Sequence, residues 1–185
     1  RDRSPSRGLG DVYKRQTEGD VVKIGKEVEL EVLDTPGHTM THICLLSKTD
    51  KPALFSGDTL FNAGAGNCHN GGHPEELYET FHRQFQNLPD TTLIYPGHDY
   101  LKNNLEFTLD REPNNEQAQK LLNSLKNSEP GGVITNLQIE NNINTFFRLS
   151  NNTIIDRLRE RFPELSSNPS QKEVFLLLRQ LRNKW

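Results

Sequence analysis

The sequence lacks the features that identify several large classes of protein. Its 185 residues include two cysteines, Cys44 and Cys68, which are too few for a disulfide framework and fit a reducing compartment. No apolar run approaches the ~20 residues that a membrane-spanning helix needs, and no signal peptide is visible. We therefore expect a cytoplasmic protein without a membrane partner.

The chain also lacks a surplus of positive charge. Its formal net charge is −3, whereas a nucleic-acid-binding domain is expected to carry a basic face. Residues 1–16 hold five basic and two acidic groups, a surplus of three positive charges, so the remainder has a net charge of −6. This balance argues against a nucleic-acid partner.

We interpret the first 16 residues as having a different origin from the rest of the chain. Asp11-Val-Tyr-Lys-Arg-Gln16 is the translation of GATGTGTATAAGAGACAG, which resembles a transposon end used to prepare DNA sequencing libraries. We interpret residues 1–16 as read-through of adaptor DNA, the alternative being a genuine disordered basic tail. In either case we exclude them from reasoning about the fold.

Three short segments share one pattern, in which an apolar run and a glycine precede a side chain that can bind a metal. They are Val32-Leu-Asp-Thr-Pro-Gly-His38, Leu54-Phe-Ser-Gly-Asp58 and Leu93-Ile-Tyr-Pro-Gly-His98. Each apolar run predicts a buried strand, and glycine allows a sharp turn at its end. Two imidazoles and a carboxylate presented in this way suit a divalent metal such as zinc.

The order and context of these motifs identify a resemblance. Thr35-Pro-Gly-His-Thr39, Gly57-Asp-Thr-Leu-Phe61, Tyr95-Pro-Gly-His-Asp-Tyr100 and Asn103-Asn-Leu-Glu-Phe107 closely resemble the metallo-β-lactamase superfamily and, within it, the glyoxalase II (hydroxyacylglutathione hydrolase) family. The resemblance implies an α/β (α+β) fold, a four-layer αββα sandwich followed by an α-helical domain. We expect residues 17–100 to form the second half of that sandwich and residues 101–185 to form the helical substrate-binding domain.

One family motif is absent. The family begins with a Thr-His-x-His-x-Asp-His loop that supplies four metal ligands, and this string does not occur in the sequence. We therefore expect an N-terminally truncated fragment that is inactive by itself.

The resemblance also assigns metal ligands. It implies that His38 completes one metal site, that His98 completes the other, and that Asp58 is the catalytic carboxylate bridging two divalent ions. Zinc is the metal that these ligands favour, with iron and manganese as alternatives. His42 stands at a strand start, and we expect it to support or pack against the site without binding a metal.

The substrate-binding residues are implied by position, because the chain departs from the family pattern here. The loop Ala63-Gly-Ala-Gly-Asn-Cys-His69 places Asn67 and His69 where the family has a basic and an aromatic residue. The terminal Arg179-Gln-Leu-Arg-Asn-Lys-Trp185 retains Arg179 and Arg182, for which the alternative is a solvated helix face. Tyr100 matches a family position beside the substrate.

The function implied is metal-dependent hydrolysis of a thioester, S-D-lactoylglutathione, in methylglyoxal detoxification. Two alternatives stay open. One is a relative such as persulfide dioxygenase, a single-iron enzyme that typically reads Tyr-Pro-Ala-His where this chain has Pro96-Gly-His98. The other is a non-catalytic fragment or binding module.

The hydrophobic periodicity predicts two regions of different structure. Strands are predicted over residues 27–33, 42–46, 53–55 and 92–95, with one helix over 74–87. Helices follow over residues 100–111, 116–128 and 153–161, and a last helix begins after the capping-box pattern Ser170-Gln-Lys-Glu173.

Overall fold

The computed structural model describes residues 16–125 and 132–185, so the interpretation of residues 1–15 lies outside the described residues. Its main element is a six-stranded sheet in the order β1-β2-β3-β4-β7-β8, and a separate hairpin is formed by β5 and β6. The strands are β1 Val21–Ile24, β2 Val28–Asp34, β3 Ile43–Ser47, β4 Ala53–Gly57, β5 Leu60–Phe61, β6 Gly64–Ala65, β7 Leu93–Pro96 and β8 Thr135–Asn136.

In the residues that the structure describes, six α-helices accompany the sheet. They are α1 Pro74–Thr80, α2 Leu101–Arg111, α3 Glu116–Ser124, α4 Leu137–Ile143, α5 Asn152–Arg161 and α6 Gln171–Arg182. Helix α1 continues directly into a π-helical turn, Phe81–Phe85. Helix α6 begins with the predicted capping box, in which Ser170 and Glu173 satisfy each other's backbone amides.

Most of the core lies on one face of the sheet. Leu33 pairs with Cys44, and Leu54 pairs with Leu46 on one side and with Ile94 on the other. These side chains share a face because directly opposite residues project to the same side. All five are buried and pack with Phe81 and Phe85 of the π-helical turn and with Phe146 and Phe175 of the helical second part.

The opposite face of the sheet is less covered. Phe55 is 43% exposed, and its ring stacks on that of Tyr95 with 5.3 Å between centroids. A sheet with one covered and one partly open apolar face is what half of a sandwich is expected to present. The α/β class and the helical second part are confirmed.

Several elements were not predicted from the sequence. These are β1, the β5–β6 hairpin, β8 and helix α4. Helix α4 was missed because a charged residue, Glu140, occupies its buried face together with Leu137 and Ile143. Helix α3 ends at Ser124, and residues 126–128 of its predicted extent lie outside the described residues.

Helices of the described ranges, 16–125 and 132–185, include none that is both long enough and apolar enough to cross a bilayer.

Candidate metal centre and the adjoining cleft

The ends of three strands meet at one edge of the sheet. Strand β4 is parallel to β7, and two successive antiparallel pairings give β2 the same direction as β4. Their carboxyl ends therefore lie at a common edge, where His38, Asp58 and His98 follow β2, β4 and β7. The strand-end pattern in the sequence predicts this convergence.

The carboxylate of Asp58 lies between the two imidazoles. Its Oδ2 is 3.6 Å from Nε2 of His38, and its Oδ1 is 3.4 Å from Nε2 of His98. Each carboxylate oxygen therefore faces a different ring. A carboxylate can bridge two metal ions, each also bound by one imidazole, from this arrangement of donors.

The ring of His38 has a fixed orientation. Its Nδ1 lies 2.7 Å from the backbone carbonyl of Asn67, which accepts only if Nδ1 carries the proton. The lone pair is then on Nε2, the nitrogen that faces Asp58. Metal-binding histidines typically donate their second nitrogen to such a carbonyl.

His42 supports the candidate metal centre through hydrogen bonds. Its Nδ1 lies 2.9 Å from Oγ1 of Thr35 and 2.8 Å from Oγ1 of Thr59, while its Nε2 accepts the backbone N–H of Asp58 at 3.3 Å. Burial, followed by the nearby His38, lowers the pKa of His42 and favours the neutral ring. Its Nε2 lone pair is thus occupied in fixing the backbone of Asp58.

Two glycines allow the backbone to approach Asp58 closely. A Cβ at Gly66 would lie 1.9 Å from the carbonyl oxygen of Asp58, and one at Gly97 would lie 2.8 Å from its Oδ1. Both distances are shorter than any van der Waals contact. The glycines in Ala63-Gly-Ala-Gly66 and Pro96-Gly-His98 therefore have a packing reason near the carboxylate.

The three donors do not complete a coordination shell. No three His, Cys, Asp or Glu side chains of the described residues are arranged to hold one ion. Each ion would receive one imidazole nitrogen and one carboxylate oxygen from this chain, whereas structural and catalytic zinc sites use three or four protein ligands. The donor types fit divalent metals, and the number of donors is half of what such sites use.

A cleft of about 230 Å³ adjoins the centre. All five residues predicted to bind substrate lie on its wall, namely Asn67, His69, Tyr100, Arg179 and Arg182. The sequence did not indicate the other wall residues, which are Phe61, Ala65, Asn104, Asn183 and Trp185. The ring of Tyr100 stacks on His98 with 5.4 Å between centroids and contacts Phe61 at 5.1 Å. The cleft therefore lies beside the candidate metal centre, with the Tyr100 ring between them.

Arg182 projects from the last turn of α6 and is held by two contacts. Its Nη2 donates to Oδ1 of Asn104 at 3.0 Å, and its guanidinium lies 5.8 Å from the ring centroid of Phe107. Burial lowers the pKa of Arg182 from its usual 12.5. The side chain is half-buried, so its charge can reach a ligand in the cleft.

Arg179 has a different environment one turn earlier. It is 3% exposed, and its Nη1 donates to the carbonyls of Ala65 at 2.7 Å and Gly66 at 2.9 Å. Its Nε donates to Oδ1 of Asn183 at 3.1 Å. Burial lowers the pKa of Arg179 to about 10, which leaves the group cationic at neutral pH.

The loop between Asp58 and His69 is anchored by buried side chains of the helical part. Asn104 donates to the carbonyl of Asn62, Glu140 accepts the N–H of Ala63, and Asn144 donates to the carbonyl of Gly64. Ala63 has a φ of 56°, a left-handed conformation that non-glycine residues seldom adopt. No sequence motif indicated these contacts, because their partners are 42 to 80 residues apart.

Comparisons with known proteins identify the family. A family model described as "Metallo-beta-lactamase superfamily" matches residues 2–98, and one described as "Hydroxyacylglutathione hydrolase C-terminus" matches residues 99–185. A hydroxyacylglutathione hydrolase of Dictyostelium discoideum is 32% identical over 94% of this chain and 68% of its own length. The chain belongs to the hydroxyacylglutathione hydrolase family of the metallo-β-lactamase superfamily.

Two bacterial members of the family are more similar. The hydroxyacylglutathione hydrolase of Nitrosococcus oceani is 61% identical, and that of a Polaromonas species is 60% identical, each over 90% of this chain. The match covers 64% of either relative, so the chain spans about two thirds of their length.

Solved structures agree with the metallo-β-lactamase fold. The crystal structure of ETHE1 from Myxococcus xanthus has a TM-score of 0.51 and 25% identity, covering 90% of this chain and 58% of its own. A metallo-beta-lactamase from Staphylococcus aureus has the same TM-score at 22% identity, covering 90% and 42%, and supports the fold alone. The predicted membership of this superfamily is confirmed.

Proposed function

We propose that this chain is part of an enzyme that hydrolyses a glutathione thioester, S-D-lactoylglutathione. The observation that carries the proposal is the carboxylate of Asp58, which has one oxygen toward each of two imidazoles beside the cleft. The relatives that are 60% and 61% identical bear the name of this activity and support the choice of substrate.

The ligand roles follow from the geometry of the centre. His38, Asp58 and His98 would hold two divalent ions, for which we propose zinc. Such ions lower the pKa of a bound water and polarise a carbonyl oxygen. Each oxygen of Asp58 lies within 3.6 Å of one imidazole nitrogen, and the Asn67 carbonyl holds His38 with Nε2 toward the centre.

The cleft residues would position the substrate. The Tyr100 ring, stacked on His98, forms the wall between the centre and the cleft. Asn67 and His69 offer hydrogen-bonding groups, and Arg182 offers a planar cation suited to a carboxylate of glutathione. We propose that these four residues contact the carrier and leave the reacting carbonyl to the metal centre. We also propose a cytoplasmic location for the protein, because neither Cys44 nor Cys68 forms a disulfide.

The test of function uses a completed protein, defined as residues 17–185 of this chain joined to the part of the Nitrosococcus oceani relative that lies outside the match. We expect it to bind two zinc ions and to hydrolyse S-D-lactoylglutathione faster than a simple alkyl thioester. We expect the 185-residue chain alone to be inactive, because each ion would have only two protein donors. Iron content with oxygen-dependent persulfide consumption would instead favour a dioxygenase, and failure to bind metal would favour a binding module.

Arg182→Ala in the completed protein tests recognition of the carrier. A charge-assisted hydrogen bond contributes roughly 1.5–3 kcal/mol, so we expect KM for S-D-lactoylglutathione to rise roughly tenfold or more. We expect kcat to change less than threefold, since this residue would bind the carrier and not the reacting carbonyl. Steady-state kinetics measure both constants.

The matched control is Arg157→Ala. It removes an arginine of the helical part that pairs with Glu160 on the exposed surface of α5. We expect its KM to remain at the wild-type value. Equal KM values for the two variants would show that Arg182 belongs to a solvated helix face.

A further inference from the structure

Arg179 was expected from the sequence to contact the carrier, and its surroundings indicate another role. We propose that Arg179 is a positioning residue for His38, acting through the backbone of residues Ala65–Asn67. The inference rests on the proposed role of His38 as a metal ligand. It assigns different tasks to two arginines that lie one turn apart on α6.

The contacts of Arg179 are directed at backbone. Nη1 is shared between the carbonyls of Ala65 and Gly66, and Nε is held by the side-chain amide of Asn183. The other face of the guanidinium lies 5.5 Å from the ring centroid of Phe146. A buried guanidinium that holds two consecutive carbonyls fixes the path of the chain at that point.

The next residue in the chain carries the contact to His38. The carbonyl of Asn67 accepts the Nδ1–H of His38 at 2.7 Å, one peptide unit beyond the carbonyl of Gly66. Gly66 is held on its other side as well, because its N–H donates to the carbonyl of Thr59 at 3.0 Å. With residues 65 and 66 fixed, the Asn67 carbonyl has little freedom to move away from the imidazole.

Loss of the hydrogen bonds from Arg179 to the loop would alter the metal centre. Without Arg179, two buried carbonyls would lack their donor and residues 65–67 would shift to find water or another partner. The Asn67 carbonyl would move with them, and the His38 ring would lose the contact that selects its tautomer. Partners of this kind typically change metal affinity about 10–100-fold.

Arg182 provides a control on the same helix. It carries the same charge, lines the same cleft and is half-buried, but its hydrogen bond goes to Asn104 and not to the loop carbonyls. Replacing either arginine by alanine removes one positive charge beside the cleft. Arg182 reaches the loop only through Asn104, which holds the carbonyl of Asn62. Arg179 holds the two carbonyls that immediately precede Asn67.

The experiment compares Arg179→Ala, Arg179→Lys and Arg182→Ala in the completed protein. Zinc affinity is measured by competition with a chromophoric chelator, together with kcat, KM and the melting temperature. For Arg179→Ala we expect zinc affinity to fall at least tenfold and kcat to fall, with KM within about threefold of wild type. Lysine can still donate to one carbonyl, so we expect Arg179→Lys to recover part of the affinity. Arg182→Ala should raise KM and leave zinc affinity unchanged.

A double-variant comparison isolates the path through His38. In a His38→Ala background, Arg179→Lys should cause no further loss of zinc affinity, because its effect requires the imidazole. The conservative lysine variant keeps the comparison usable if Arg179→Ala does not fold. An equal loss in both backgrounds would overturn the proposal.

Two other results would also overturn it. Unchanged zinc affinity with a raised KM in Arg179→Ala would make Arg179 a direct contact of the carrier. Unchanged zinc affinity with only a lowered melting temperature would limit it to helix packing. The test is separate from the proposed function, since a completed protein that binds zinc but hydrolyses no S-D-lactoylglutathione would refute the substrate and still report on Arg179.

Discussion

Asp58→Ala is expected to remove both metal ions from the completed protein. Each of its carboxylate oxygens faces a different imidazole, so one substitution deletes a donor from each position. We expect kcat/KM for S-D-lactoylglutathione to fall by roughly 10³-fold or more, beyond the ~10–100-fold typical of losing an outer partner. Metal content by mass spectrometry should fall from two ions per chain toward none.

A control at the other end of the same strand shows that the effect is local. Asp50 is an exposed carboxylate in the turn before β4, whereas Asp58 follows the end of that strand. Asp50→Ala should retain both ions and full activity. If Asp58→Ala kept two ions, the bridging assignment would be wrong.

The second large expected effect is a change in the free energy of unfolding with pH. Glu140 is fully buried and accepts hydrogen bonds from the N–H of Ala63 at 2.9 Å, the hydroxyl of Thr135 at 2.6 Å and the amide of Asn144 at 2.8 Å. These partners are uncharged. Burial raises the pKa of Glu140 from 4.5 to about 7, and the hydrogen bonds oppose that rise only in part.

The direction of the pH dependence follows from this raised pKa. Between pH 4.5 and 7 the folded protein retains the proton of Glu140, whereas the unfolded chain has released it. The contribution of Glu140 to the free energy of unfolding is therefore largest below pH 4.5 and is lost as the pH rises toward 7. At 1.36 kcal/mol per pKa unit, the loss is about 3 kcal/mol.

Urea unfolding of the completed protein at pH 5 and pH 8 measures this effect. Subtracting the values for Glu140→Gln removes the contributions of other titrating groups, because glutamine does not ionise. We expect the wild type to lose about 2.5 kcal/mol more than Glu140→Gln between the two pH values, since part of the loss has already occurred at pH 5. A difference of zero or of opposite sign would show that Glu140 does not titrate in this range.

The strand-end part of the site was predictable because its information is local. An apolar run followed by glycine and a residue that can bind a metal predicts both the strand and the place of the side chain, as His38, Asp58 and His98 illustrate. Parallel direction of β2, β4 and β7 then brings the three ends together. Secondary structure was predicted well for the same reason, wherever the apolar residues repeat with the period of a helix or strand.

Apart from His42, the support of the site was not predictable, because it depends on polar residues in buried positions. Glu140 on α4 is charged, so the sequence suggests a solvated residue. Because it occupies a buried position, the apolar face of the helix cannot be recognised from the sequence. Asn104 and Arg179 bind carbonyls 42 and 113 residues distant, respectively. Such contacts follow from tertiary packing, which no local pattern encodes.

The anchoring of the loop after Asp58 has a consequence for how the site can vary among relatives. The helical part binds the carbonyls of Asn62 and Gly64–Gly66 and the amide of Ala63, so these contacts depend on backbone position. An inserted or deleted residue would shift every later carbonyl out of register. The side chains at positions 67 and 69 lie on the cleft wall and take no part in these contacts, so they can change without shifting the loop. Loop length is therefore constrained, and the chemistry of the cleft wall can diverge at these two positions.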